Sequence, residues 1–167
     1  DYSTPRTFNS ACEWLDSNKD ADDYFLMVEA FDPHEPFDCP KEFVDMYDDD
    51  YDGPHYDWPA YNTVKEPDEA VKHVRNKYMG TLTMADKWFG KMLDTLEKND
   101  LFEETLIILT SDHGQLLGEH GYMGKNFMHS YNELAHIPMI VHLPGNERKD
   151  ERINALTQNI DIMPTLL

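Results

Sequence analysis

Asp112 and His113 follow directly on the apolar run Thr105-Leu106-Ile107-Ile108-Leu109-Thr110. A carboxylate oxygen beside an imidazole nitrogen makes a donor pair suited to a divalent cation. Open α/β sheets bind ligands at the carboxyl ends of their strands, which makes this strand end a candidate metal site. Gly114 would permit the sharp backbone turn that lets two neighbours reach one ion. Taken alone, the tripeptide also describes a turn capped by Asp112 beside a hydrogen-bonded His113, so context has to decide. Part of that context is Leu117-Gly118-Glu119-His120-Gly121-Tyr122-Met123-Gly124-Lys125, a glycine-punctuated stretch unlike a helix or a generic linker. Lys125 is the only basic residue between Lys98 and Arg148, an isolated cation near the proposed metal end of the sheet, although a solvated lysine would read the same way.

These groups need a scaffold, and the hydrophobic pattern supplies one. Phe8, Ala11, Cys12 and Leu15 recur at helical spacing, predicting a helix over Thr7 to Asn18 with Thr7 as its N-cap. Tyr24-Phe25-Leu26-Met27-Val28 reads as a strand covered on both faces. The Asp32-Pro33-His34-Glu35-Pro36-Phe37 loop that follows is stiffened by two prolines that lack backbone donors. A short helix over Lys41 to Tyr47 opens an acidic excursion of about residues 42–64, which contains seven acids and no Lys or Arg. After Pro67, Val71, Val74, Tyr78, Leu82, Ala85, Phe89, Met92 and Leu96 step by three or four, predicting one long amphipathic helix with His73 on its solvent side. With further strands at Thr105–Thr110 and Ile137–Leu143, the pattern predicts an α/β fold with a mostly parallel central sheet flanked by helices.

The chain has 167 residues, enough for one domain, with 33 acidic against 14 basic residues and a net charge of −19. Such a field repels polynucleotides and anionic lipid surfaces, so neither nucleic acid nor membrane is an expected partner. No apolar run approaches membrane-span length, and the first residues have neither a basic nor an apolar leader region. Cys12 and Cys39 form no zinc spacing and no disulfide framework. The Asp48 to Asp52 cluster lacks the order of residues of a calcium-binding helix-loop-helix and reads as a solvated face.

Several ordered motifs together resemble the sulfatases of the alkaline-phosphatase-like superfamily. Thr110-Ser111-Asp112-His113-Gly114, Leu117-Gly118-Glu119-His120-Gly121, Lys125, Ile137-Pro138-Met139-Ile140 and Leu143-Pro144-Gly145 are similar to the C-terminal signature region of that family. Pro33-His34-Glu35-Pro36-Phe37 resembles its histidine-bearing loop. Pro40-Lys41-Glu42-Phe43 is similar to iduronate- and choline-sulfatase-like members, and Asn159-Ile160-Asp161-Ile162-Met163-Pro164-Thr165-Leu166-Leu167 to a family helix start. The resemblance covers roughly residues 7–167 and implies an alkaline-phosphatase-like fold. It implies Asp112 and His113 as two ligands of a divalent cation, calcium foremost, with manganese or zinc as the alternatives that the imidazole donor admits. It further implies that Lys125 and His34 contact the sulfate and the leaving-group oxygen, with His34 suited to act as an acid because imidazole titrates near neutrality. His120 is a candidate support for the Asp112 loop.

The sequence departs from that family in two respects, one of them His113, which stands where many sulfatases have Asn; the other is the nucleophile region. No Cys or Ser lies in a C/S-x-P/A-x-R nucleophile motif, and no Asp-Asp pair ends an early strand. Residues 1–167 therefore read as one partial catalytic domain of a metal-dependent sulfuric ester hydrolase, inactive alone, whose substrate would be a sulfated small molecule or glycan. A phosphonate monoester or phosphodiester hydrolase of the same superfamily and a non-catalytic acidic binding module are the alternatives. A partial domain would expose an apolar face and self-associate through it.

Overall fold

The computed structural model describes residues 2–47, 50–125 and 129–167; Asp48 and Asp49 of the acidic tract lie outside them. Helix α1 (Ser3–Asn18) starts earlier than Thr7 and buries the four residues of the expected stripe, Phe8, Ala11, Cys12 and Leu15. The spine of the molecule is α3 (Asp68–Lys98), preceded by Pro67 and carrying Asp68 and Glu69 in its first turn, where acids complement the helix dipole. Its C-terminal half receives α1 through Met92 and Leu96, with Phe8 edge-on to Phe89 at a centroid distance of 6.2 Å. Asn9–Lys91 and Asp16–Asn99 hydrogen bonds, both 2.7 Å, edge this seam.

The helix is buried along more than one stripe. Leu82 stands 45% exposed, whereas His73, expected outside, is only 6% exposed and stacks on Tyr51 with ring centroids 4.5 Å apart. The reason is the acidic excursion, which folds back over the N-terminal half of α3 and makes a second inner face there. Cys39, Phe43 and Met84 pack where the short helix α2 (Lys41–Val44) crosses α3.

The expected mostly parallel sheet is corrected by two small antiparallel ones. Strands β2 (Ile107–Thr110) and β5 (Met139–His142) pair in the register Ile107↔His142 through Thr110↔Met139. A parallel return needs a crossover, usually a helix of many residues. Between β2 and β5 the described residues hold only a hairpin and the four-residue helix α4 (Asn132–Ala135), so the chain doubles back. The second sheet has the order β1 (Asn62–Thr63), β4 (Tyr122–Gly124), β3 (Leu116–Leu117).

The segment 24–30 joins no ladder among the described residues. Tyr24, Leu26, Val28 and Ala30 pack inward against the α1–α3 core. Phe25 and Met27 point outward at 75% and 73% exposure. Coverage on one face only therefore replaces the expected burial on both. Ile140 and Val141 of β5 are also exposed.

Candidate active site

The hairpin β3–β4 determines which side chains meet. Its pairing of Leu116 with Gly124 and Leu117 with Met123 places Gln115 across from Lys125, one step further along the ladder. The pairing of β1 with β4, Asn62↔Met123, brings Tyr61 to Gly124 by the same step. At Gly124 (φ +106°) a Cβ would fall 2.6 Å from the Tyr61 ring, so only glycine lets the two strands close here. Leu117 and Met123 sink into a core with Phe37, Val71 and Val74, and Arg75 on α3 donates to the Leu117 carbonyl at 2.7 Å.

Phe37, fully buried and edge-on to Tyr78, anchors the proline loop to that core. The anchor brings in Glu35, whose side chain is also wholly buried. Gln115 Nε2 donates to Glu35 Oε1 at 2.6 Å, and Lys125 Nζ donates to Oε2 at 3.3 Å. His34 Nδ1 lies 3.1 Å from Oε2 and 2.7 Å from the Glu35 backbone oxygen. Burial raises the Glu35 pKa, but the Tyr61 hydroxyl bond and the charges of Lys125 and His34 outweigh it, holding the carboxyl below its ordinary value. Burial and that carboxylate push the Tyr61 hydroxyl far up, so it stays protonated and donates. The His34 ring rests against Phe31 at 4.3 Å and faces Trp58 edge-on at 6.3 Å. The structure thus joins His34 and Lys125 through one carboxylate.

Asp112 and His113 occupy the turn after β2. The Asp112 Oδ1 accepts the His113 N–H at 2.8 Å, and its Oδ2 lies 3.5 Å from His113 Nε2. Partial desolvation at the turn raises the Asp112 pKa, but the His113 amide bond and imidazole outweigh it and hold the carboxyl below its usual range. His113 Nδ1 faces the Gly114 carbonyl at 2.8 Å, an acceptor that holds a proton on Nδ1 and turns Nε2 toward Asp112. An imidazole whose second nitrogen is held by a backbone carbonyl is the usual arrangement of a metal-ligating histidine. Two adjacent donors on an open turn, with Asp112 83% exposed, fit part of a cation's ligand shell. Among the described residues no group of three or more His, Cys, Asp or Glu side chains assembles to complete it.

Gly114 contributes through close approach. Its φ lies outside the left-handed region, but a Cβ would overlap the Glu133 carbonyl oxygen, and its N–H donates to the Leu134 carbonyl at 2.9 Å. The turn that bears Asp112 and His113 is thereby clamped onto α4. His120 acts one step behind, stacking on Tyr131 at 3.8 Å and meeting the Glu133 carboxylate at 3.2 Å. Asn159, near the C-terminus, donates to the Ser111 carbonyl at 2.8 Å and accepts from the Thr110 hydroxyl at 3.2 Å, steadying the end of β2.

Sequence reasoning did not single out Glu35, Gln115 or Tyr61, and it noted Asn159 only as part of the C-terminal motif. A signal existed for Gln115, because hairpin strands around Gly118–Gly121 would have set it opposite Lys125. Both cysteines are free and buried, and burial pushes the Cys39 thiol up to about 11, away from nucleophilic use.

A family model described as Sulfatase matches residues 1–167. The chain is 29% identical to the Escherichia coli sulfatase YidJ over 97% of its own length and 35% of that protein. It is 30% identical to an arylsulfatase of Clostridium perfringens, over 95% of this chain and 36% of that one. An N-acetylglucosamine-6-O-sulfatase of Bacteroides thetaiotaomicron is 37% identical over 54% of this chain and 16% of its own. A choline-sulfatase of Rhizobium meliloti and the human iduronate 2-sulfatase are also relatives. The solved sulfatase of Bacteroides fragilis superposes with a TM-score of 0.69 at 27% identity, covering 86% of this chain and 31% of that one. A phosphonate monoester hydrolase of Agrobacterium radiobacter shares the fold, with a TM-score of 0.66 at 22% identity, over 86% and 34% of the two chains. The chain spans about a third of the length of the curated sulfatases it matches along nearly its whole length.

Proposed function

The chain belongs to the sulfatase family, and on that premise we propose that it forms the cation- and anion-holding side of a metal-dependent sulfuric ester hydrolase. Asp112 and His113 supply two ligands to a divalent cation, calcium foremost, and Lys125 and His34 receive the sulfate and the leaving oxygen. The observation that carries this reading is the meeting of His34 and Lys125 on one buried carboxylate, with Gln115 tying them to the turn that bears Asp112 and His113. The nucleophile is read as coming from outside these residues, since no C/S-x-P/A-x-R motif is present. The domain is accordingly partial and inactive alone. A sulfated glycan is the substrate class suggested by the N-acetylglucosamine-6-O-sulfatase relative.

The roles follow from charge. A divalent cation, held in part by Asp112 and His113, would supply Lewis acidity to the bound ester. Lys125 offsets charge on the transferred group, in a protein whose overall field would otherwise repel it. As the nucleophile bonds to sulfur, the bond to the bridging oxygen breaks, the electron pair stays on that oxygen, and the proton of His34 Nε2 passes to it. His34 is left neutral with its proton on Nδ1.

The test is an assay of a polypeptide carrying these residues together with a nucleophile segment, on an aryl sulfate and an aryl phosphonate side by side. Faster sulfate release, abolished by Asp112→Ala, is the expected result. Faster phosphonate hydrolysis would instead support the related hydrolase reading that the His113 donor leaves open, and no turnover of either ester would support the binding module.

A further inference from the structure

We infer that Glu35 is a positioning residue that sets the two groups read above as contacting the sulfate, orienting the imidazole of His34 and restraining the ammonium of Lys125 with one carboxylate. The inference deepens the proposed function and rests on its reading of His34 and Lys125. Its basis is geometric. Glu35 is fully buried, between two prolines, and is met by Gln115 at 2.6 Å, Lys125 at 3.3 Å, the His34 ring at 3.1 Å and the Tyr61 hydroxyl. Burying a carboxylate costs several kcal/mol before its partners repay it, and a well-packed apolar residue often serves stability as well or better. Packing alone therefore gives no reason for an acid at this position.

What the carboxylate does supply is direction. His34 Nδ1 faces two acceptors, the Glu35 backbone oxygen and its Oε2, so Nδ1 carries the proton and Nε2 is the nitrogen left for chemistry. The ring is 30% exposed, framed by Phe31 and Trp58, and so reaches solvent while its other nitrogen is fixed. A carboxylate behind an imidazole holds the tautomer and steadies the imidazolium, as in other histidine-based catalysts. The same Oε2 holds Lys125, which is 11% exposed and lies 5.9 Å from the centre of the Tyr61 ring. One anion thereby fixes an acid and a cation that lie far apart in the sequence.

The experiment is NMR of the 167-residue chain, with ¹⁵N detection of the imidazoles and of lysine ammonium groups. Wild type is expected to show His34 as the Nδ1–H tautomer at alkaline pH and, at mildly acidic pH, a protected Lys125 ammonium signal. Glu35→Gln, similar in size, is expected to lose the ammonium signal and shift the His34 ring resonances together. A wild-type His34 carrying its proton on Nε2, or averaging between tautomers, overturns the inference without any variant. So does a folded Glu35→Gln chain in which Lys125 and His34 keep their signals. Should Glu35→Gln not fold, Lys125→Gln decides: a shift of the His34 resonances sustains the shared-carboxylate arrangement, and unchanged resonances refute it. None of these readouts requires turnover. A failed hydrolase assay beside intact signals would refute the proposed function alone, and the reverse would refute only the role of Glu35.

Discussion

Replacing Gly114 by alanine tests the clamp beneath the turn that bears Asp112 and His113. The added methyl would overlap the Glu133 carbonyl oxygen and lie 2.9 Å from its carbonyl carbon. Both atoms are backbone, so no side-chain rotation relieves the clash, and α4 or the turn has to move. Overpacking of this kind costs about 1–3 kcal/mol. Separation of the two segments also sacrifices the 2.9 Å bond from the Gly114 N–H to the Leu134 carbonyl, adding about 0.5–1.5 kcal/mol. A loss of about 1.5–4.5 kcal/mol is expected, which in a domain of this size lowers the melting temperature by roughly 3–18 °C. Urea unfolding with an unchanged slope would confirm that native stability is what fell. Because the turn carries Asp112 and His113, calorimetric titration with calcium should show weaker binding by Gly114→Ala than by wild type. A variant that melts within about 1 °C of wild type, outside the expected range, would refute the contact and with it the anchoring of the turn on α4.

Three other outcomes are expected. The Glu35 carboxyl is held below its ordinary value of 4.5, so its contribution to stability is present above that value and is lost as pH falls through the lower folded-state value. The stability difference between wild type and Glu35→Gln, followed by urea midpoints, should shrink as the solution is acidified through this range; a difference independent of pH contradicts the ionised pair. Phe37→Ala empties a fully buried site shared with Val74 and Met123 and should cost about 3–5 kcal/mol, whereas a urea midpoint near wild type would show that the proline loop is anchored by other contacts. Met27→Lys alters a side chain that is 73% exposed and should change stability by no more than about 0.5 kcal/mol. The same change should reduce concentration-dependent association in sedimentation velocity; a wild-type chain monodisperse at all concentrations would argue against an adhesive face there.

The helices were legible because they follow a single period. The stripe Phe8, Ala11, Cys12, Leu15 is the buried face of α1, and the apolar steps after Pro67 mark α3 through to Leu96. His73 and Leu82 were misjudged for one reason: a period identifies a face, but a loop folding back from elsewhere decides whether a second face is covered. Strand pairing was less legible. Tyr24–Val28 is apolar at every position, which suits burial on both sides, yet only alternate residues have partners in the structure. For β2 and β5, the sequence held the missing clue in the shortness of the helix between them.

Legibility of the site divides along the same line. Asp112, His113 and Lys125 stood out because each breaks a local pattern: a charge at the end of an apolar strand, and a lone cation in an acidic stretch. Glu35 breaks no pattern in a chain with 33 acidic residues. Its burial emerges only when Phe37 draws the proline loop under the hairpin and the pairing of Leu116 with Gly124 sets Gln115 and Lys125 above it. A residue that acts through others owes its role to distances across the fold, and such distances are products of register and packing. The groups that would touch substrate were therefore visible as residue types, whereas the carboxylate that aims two of them required the assembled hairpin, loop and helix.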